Sequence, residues 1–177
     1  MKLFKVFLSF FIIVGLFFGI SLFFPRYYKF EKSVSVNKPA HEVFIYMSNL
    51  RNWEQWSAWN KSIDSSLYIF YSKRSDSLGA IQYFNGNLLG SGRFIISNYK
   101  PDEVLSYNLQ MHNSEVNANG TFFFEQKNST TQLTWIDSGD VRYNPIFRYL
   151  IPFKKKSTEA AFEDGLKRIK MNLEGAQ

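Results

Sequence analysis

With 177 residues the chain has room for one ordinary domain and one additional segment, and its apolar share of 45% is ample for a core. It has no cysteine, which excludes disulfides, thiolate chemistry and cysteine-based zinc sites. The net charge of +6 sits mostly at one end: residues 1–29 carry Lys2, Lys5, Arg26 and Lys29 and no acid, and the remaining 148 residues stand at about +2, too little for the basic face that a nucleic-acid partner needs.

Val6 to Phe24 is an uncharged run of nineteen residues, close to the twenty or so that cross a bilayer's hydrocarbon core. It ends in Phe23-Phe24-Pro25-Arg26. A signal-peptide cleavage site needs small residues, so this ending predicts an uncleaved anchor. Tyr27 and Tyr28 follow where an interfacial aromatic belt would lie. Lys2 and Lys5 on one side nearly balance Arg26, Lys29 and Lys32 on the other. The short tail before the run favours an inside N-terminus and a domain on the outer side. The expected division is an anchor over residues 1–29 and a domain over 30–177.

Phe30, Lys32, Val34 and Val36 alternate with polar residues and predict a first strand. Asn37-Lys38-Pro39-Ala40 opens a short helix with Val43, Phe44, Tyr46 and Met47. Trp53, Trp56 and Trp59 then recur in steps of three. They are read either as core packing over one end of a sheet or as an aromatic lid on a pocket. Six further strands alternate with turn signals, the pattern of an antiparallel meander: Leu67–Lys73, Ala80–Asn85, Ser91–Asn98, Val104–Met111, Asn117–Gln126 and Thr131–Asp137. Asn144-Pro145 begins a short apolar piece, Ile146 to Phe153. A long helix is expected from Lys154 to Glu174, with Phe162, Leu166, Ile169 and Leu173 on one face, Ala161 and Gly165 widening it, Ser157 or Thr158 as cap and Gly175 at the end. One long amphipathic helix after a run of strands predicts an α+β domain with the sheet wrapped around the helix.

This order of elements resembles the helix-grip fold of the START-like superfamily, and more narrowly the polyketide cyclase/dehydrase branch of the SRPBCC proteins. The residues that carry the resemblance are Val34 to Phe44, Asn49 to Trp59, the glycines of Gly79-Ala80, Asn85-Gly86-Asn87 and Gly90-Ser91-Gly92, Thr131 to Trp135, Asn144-Pro145-Ile146 and Phe162-Glu163-Asp164-Gly165-Leu166. It covers about residues 30–174. It implies a cavity between the curved sheet and the long helix, of the kind used for lipids, sterols, polyketides or other apolar molecules.

Three functions follow as expectations: a membrane-anchored domain that binds an apolar small molecule or lipid, a cyclase- or dehydratase-like enzyme, and a tethered interaction domain with a filled core. The pocket is expected to be lined by Trp59, Tyr83, Tyr107, Leu109, Phe124 and Trp135, with Gly165 on the helix wall. Gly165 inside a helix costs about 1 kcal/mol relative to Ala, which a close sheet contact or ligand access would offset. An enzyme needs a polar group in the pocket, and strand parity nominates Arg93, Glu125 and Tyr83. His41 and His112 are read as surface residues, and Asp137 and Asp140 as the flanks of a turn at Gly139. No cofactor or metal is expected. Lys154-Lys155-Lys156 is read as a contact to anionic headgroups or as a solvated helix start.

Overall fold

The computed structural model describes residues 2–112 and 117–175. Helix α1 (Lys2–Ser21) projects from the rest with its side chains largely exposed, and Leu3–Ser21 is long and apolar enough to cross a membrane. It begins earlier than the apolar run because Lys2 and Lys5 join its first turns. It ends earlier because Leu22, Phe23 and Phe24 leave it through tight turns onto the carbonyls of Gly19, Ile20 and Ser21.

Strand β1 (Tyr27–Val36) follows at once, with Tyr27 already paired to Asp140. The expected boundary at residue 29 therefore falls inside a strand, and Tyr27 and Tyr28 are ladder residues. Helix α2 (Ala40–Ser48) and a 3-10 helix (Leu50–Gln55) carry the chain across one end of the sheet. The remaining strands are β2 (Tyr68–Tyr71), β3 (Ile81–Gly86), β4 (Gly90–Lys100), β5 (Val104–Met111), β6 (Asn117–Lys127) and β7 (Thr130–Asp140). They meander back so that β7 lies beside β1, in the order β1-β7-β6-β5-β4-β3-β2, every pair antiparallel. Helix α3 (Pro145–Glu174) closes the chain against β1.

The inner face of the sheet is marked by Phe84, Phe94, Ile96, Leu105, Tyr107, Phe122, Phe124 and Leu133, all buried. Alternation sends their neighbours to the outer face. Leu166 and Ile169 of α3 and Val43, Phe44 and Met47 of α2 complete the core. Phe44 is wedged edge-on against Phe124 at 5.3 Å and Tyr99 at 5.0 Å, so the end of the sheet beneath α2 is solidly filled. The helix-grip expectation thus holds: an α+β domain in which an antiparallel sheet clasps a long C-terminal helix.

Helix α3 differs from the expected one at its start. It begins at Pro145, not Lys154, because the Asn144 side chain accepts the Phe147 amide at 3.2 Å and Pro145 sits in the first turn, where its missing N–H costs nothing. Ile146 to Phe153 is therefore helical and continuous with the rest, with Pro152 inside it. Ser157 and Thr158 are mid-helix and do not cap it. The lysine run is likewise mid-helix; Lys155 and Lys156 are exposed, and the Lys154 side chain lies outside the described residues.

Candidate functional site

At the other end of the sheet from α2, the clasp is not filled. A cavity of about 520 Å³ lies between β1, β7, β5 and α3 and under the tryptophan segment, within the range of about 300–1,000 Å³ typical of small-molecule sites. All four tryptophans of the chain, Trp53, Trp56, Trp59 and Trp135, line it. So the tryptophan segment both packs the core and roofs the hollow: Trp53 and Trp56 are buried, and Trp56 meets Trp135 edge-on at 5.5 Å. The sheet contributes Tyr28 and Phe30 from β1, Phe94 from β4, Tyr107 and Leu109 from β5 and Asp137 from β7. The helix contributes Phe147, Leu150 and Ile151 from its first turns and Ser157, Thr158, Ala161, Phe162 and Gly165 further along.

One polar cluster stands in this apolar lining. Tyr107, Gly120 and Asp137 form a row across three strands, since Gly120 of β6 pairs with Tyr107 on one side and Asp137 on the other. A Cβ at Gly120 would lie 2.0 Å from the Tyr107 ring. The missing side chain lets the ring lie across β6 and bring its hydroxyl to Asp137. That hydroxyl donates to Asp137 Oδ2 at 2.9 Å and accepts from Trp135 Nε1 at 3.2 Å. Tyr28 of β1 lies in the same way over Gly139 of β7.

Asp137 is 8% exposed. Burial pushes its carboxyl up to about 7, against a smaller downward pull from the Tyr107 hydroxyl. Burial, with the Asp137 charge behind it, raises the Tyr107 phenol well above its ordinary value and raises Tyr28 in the same direction. The described lining contains no Lys, Arg or His, so no cation offsets the carboxylate. A carboxyl that gains and loses its proton near neutrality inside an apolar hollow can donate to or accept from a ligand hydroxyl or carbonyl, and can serve as a general acid or base. Among the described residues no cluster of His, Cys, Asp and Glu is arranged to hold a metal ion.

The residues expected at the site divide. Trp59, Tyr107, Leu109, Trp135 and Gly165 line the cavity together. Tyr83, Arg93, Glu125 and Phe124 do not, and those expectations are corrected. Tyr83 stacks on Phe70 at 4.7 Å and Arg93 donates to Gln110 at 2.8 Å, both on the outer face. Glu125 is exposed and paired with Lys127. In each strand the buried phenylalanine next to them takes the inner face. Phe124 does face inward, but beneath α2 against Phe44 and away from the hollow.

Asp137 and Asp140 are not turn residues either. β7 runs through both, and Asp140 receives two hydrogen bonds from Arg26, at 2.7 and 2.5 Å. Asp137 is the site residue that local sequence reading misses. Its signal is parity: it lies two and four residues beyond Trp135 and Leu133, on their face.

No family model matches the chain, and no curated protein matches it either. Solved structures do share its fold at low identity. A Chromobacterium violaceum protein is 12% identical with a TM-score of 0.56, covering 82% of this chain and 96% of its own. BexL, the di-domain ARO/CYC protein of the BE-7585A biosynthetic pathway, is 15% identical with a TM-score of 0.59, covering 83% of this chain and 46% of its own. DynU16, from the dynemicin biosynthetic locus, is 17% identical with a TM-score of 0.58, covering 82% and 47%. The chain thus spans about half the length of the latter two. These likenesses establish the helix-grip fold.

Proposed function

We propose that this chain is a membrane-anchored domain that holds an apolar small molecule or lipid between its sheet and α3. The observation that carries the reading is the aromatic hollow of about 520 Å³ left open at one end of an otherwise packed core. Leaving such a volume empty forfeits packing that large side chains would readily supply, and an occupant restores it. The anchor is α1, whose Leu3–Ser21 stretch is long and apolar enough to cross a membrane. The test is native mass spectrometry of the full chain purified in detergent, followed by solvent extraction. A bound mass lost on extraction, and a melting temperature that falls with it, is the expected result. A folded chain that never releases a molecule and gains no stability from any lipid overturns the proposal.

A second reading is an enzyme of the polyketide cyclase or dehydratase kind, favoured by one observation: a near-neutral carboxyl, Asp137, held by Tyr107 inside the hollow. The ARO/CYC label of BexL points the same way. In that case Asp137 moves the proton and Tyr107 orients it. Asp137→Asn then abolishes turnover of a poly-β-ketone mimic while retaining its binding. An unchanged turnover rules the enzyme reading out.

A further inference from the structure

The first nine residues of α3 face three surroundings at once. Phe147, Leu150 and Ile151 line the cavity. Tyr149 turns to α1: its hydroxyl donates to the Phe17 carbonyl at 2.8 Å, and its ring stacks on Phe17 at 5.0 Å and meets Phe24 at 4.7 Å. Ile146 and Phe153 stand in the open at 61% and 78% exposure, flanked by Tyr143 at 77%. Leu22 and Phe23 extend the same exposed apolar character from the end of α1. A water-facing surface rarely gathers so many large apolar side chains. The exposed Lys155 and Lys156 follow where anionic headgroups would meet them. Pro152 has no N–H for the Arg148 carbonyl, so the segment is joined to the rest of α3 through a weakened turn.

We infer that Pro145–Phe153 lies in the membrane surface beside α1 and is the door through which an apolar molecule passes between the bilayer and the cavity. This rests on the reading of α1 as an anchor and of the hollow as a binding site. Continuity supplies the argument. A segment pinned by Tyr149 to the last turns of a spanning helix sits at the interface, and its apolar side chains have lipid there as a solvent. Its inner side is a wall of the hollow, so the ligand reaches the cavity without crossing water.

The chain has no cysteine, so single cysteines can carry an environment-sensitive dye. Full-length Phe11→Cys, Ile146→Cys, Phe153→Cys and Met171→Cys variants are labelled and reconstituted in phosphatidylcholine vesicles containing some phosphatidylglycerol and nitroxide-bearing lipids. The expected result is strong quenching at 11, shallow quenching at 146 and 153, and none at 171. Retinol supplied from vesicles then quenches the emission of the cavity tryptophans, and the Ile146→Lys/Phe153→Lys variant slows that transfer at least tenfold with an unchanged melting temperature. Labels at 146 and 153 no more quenched than at 171, with 11 quenched, overturn the inference and leave the anchor standing. No quenching at 11 overturns the anchor, and the inference with it. Quenching at 146 and 153 with an unchanged transfer rate overturns the door. Retinol that never reaches the wild-type tryptophans, presented from vesicles or from detergent, overturns the binding reading itself.

Discussion

Asp137 concentrates the chemistry of the molecule in one side chain. Its carboxyl stands at about 7 when folded, against 3.8 for an unperturbed aspartate. Between those values the folded chain therefore holds a proton that the unfolded chain has released. The stability this group contributes is complete below about pH 4 and is lost as the pH rises through 7. Asp137→Asn keeps an acceptor for Tyr107 and cannot ionise. It should match the wild type near pH 4 and exceed it by about 2–4 kcal/mol at pH 8 in urea titrations. Gly120 is the second critical position. Gly120→Ala drives a methyl into the Tyr107 ring, which should cost about 1–3 kcal/mol and, by removing the hydroxyl from Asp137, raise its pKa further in a carboxyl NMR titration. Asp137 was hidden in the sequence because Asp-Ser-Gly-Asp has the composition of a turn. Pairing with β1 on one side and β6 on the other keeps it extended. Tyr83, Arg93 and Glu125 were misplaced for a related reason. In β3 and β4 both alternating sets mix apolar and polar residues, and Phe122-Phe123-Phe124 is apolar on both faces, so local alternation left the inner face undetermined.

At the scale of elements, the succession of strands along the chain and the long closing helix were legible, because turns and periodicity are local signals, whereas the pairing of β1 with β7 joins distant segments and left no local mark. The start of α3 was not legible. Asn144-Pro145, Pro152 and three lysines punctuate the chain, and they read as a break followed by a new start at Lys154. The asparagine cap and the tolerance of a first-turn proline carry the helix through instead. Contact with α1 then holds a segment that Pro152 weakens. Pro152→Ala restores the missing hydrogen bond and should slow amide exchange across residues 146–153 without altering it at 166–173. The small residue on the cavity wall has a different role. A Cβ at Gly165 would stand 3.4 Å from Trp135, an ordinary contact, so no close sheet approach demands glycine there. Gly165→Ala should stabilise the fold by about 1 kcal/mol in urea titrations while narrowing the hollow.

On the scale of the whole molecule, the apolar N-terminal helix, the first turns of α3 and the aromatic hollow are contiguous: Tyr149 packs on Phe17 of α1, and Phe147, Leu150 and Ile151 line the cavity. The clasp itself was legible from the order of elements. Its one-sided filling was not, because it depends on where Phe44 is wedged and on how far Tyr107 reaches across Gly120. Uptake of an apolar molecule by this hollow can be measured through the four tryptophans that surround it. Full-length protein in detergent is titrated with retinol while tryptophan emission is recorded. Saturable quenching at one retinol per chain, abolished when Ala161→Phe fills the hollow of a still-folded variant, is the predicted result. Quenching that never saturates, or that persists unchanged in Ala161→Phe, would contradict it.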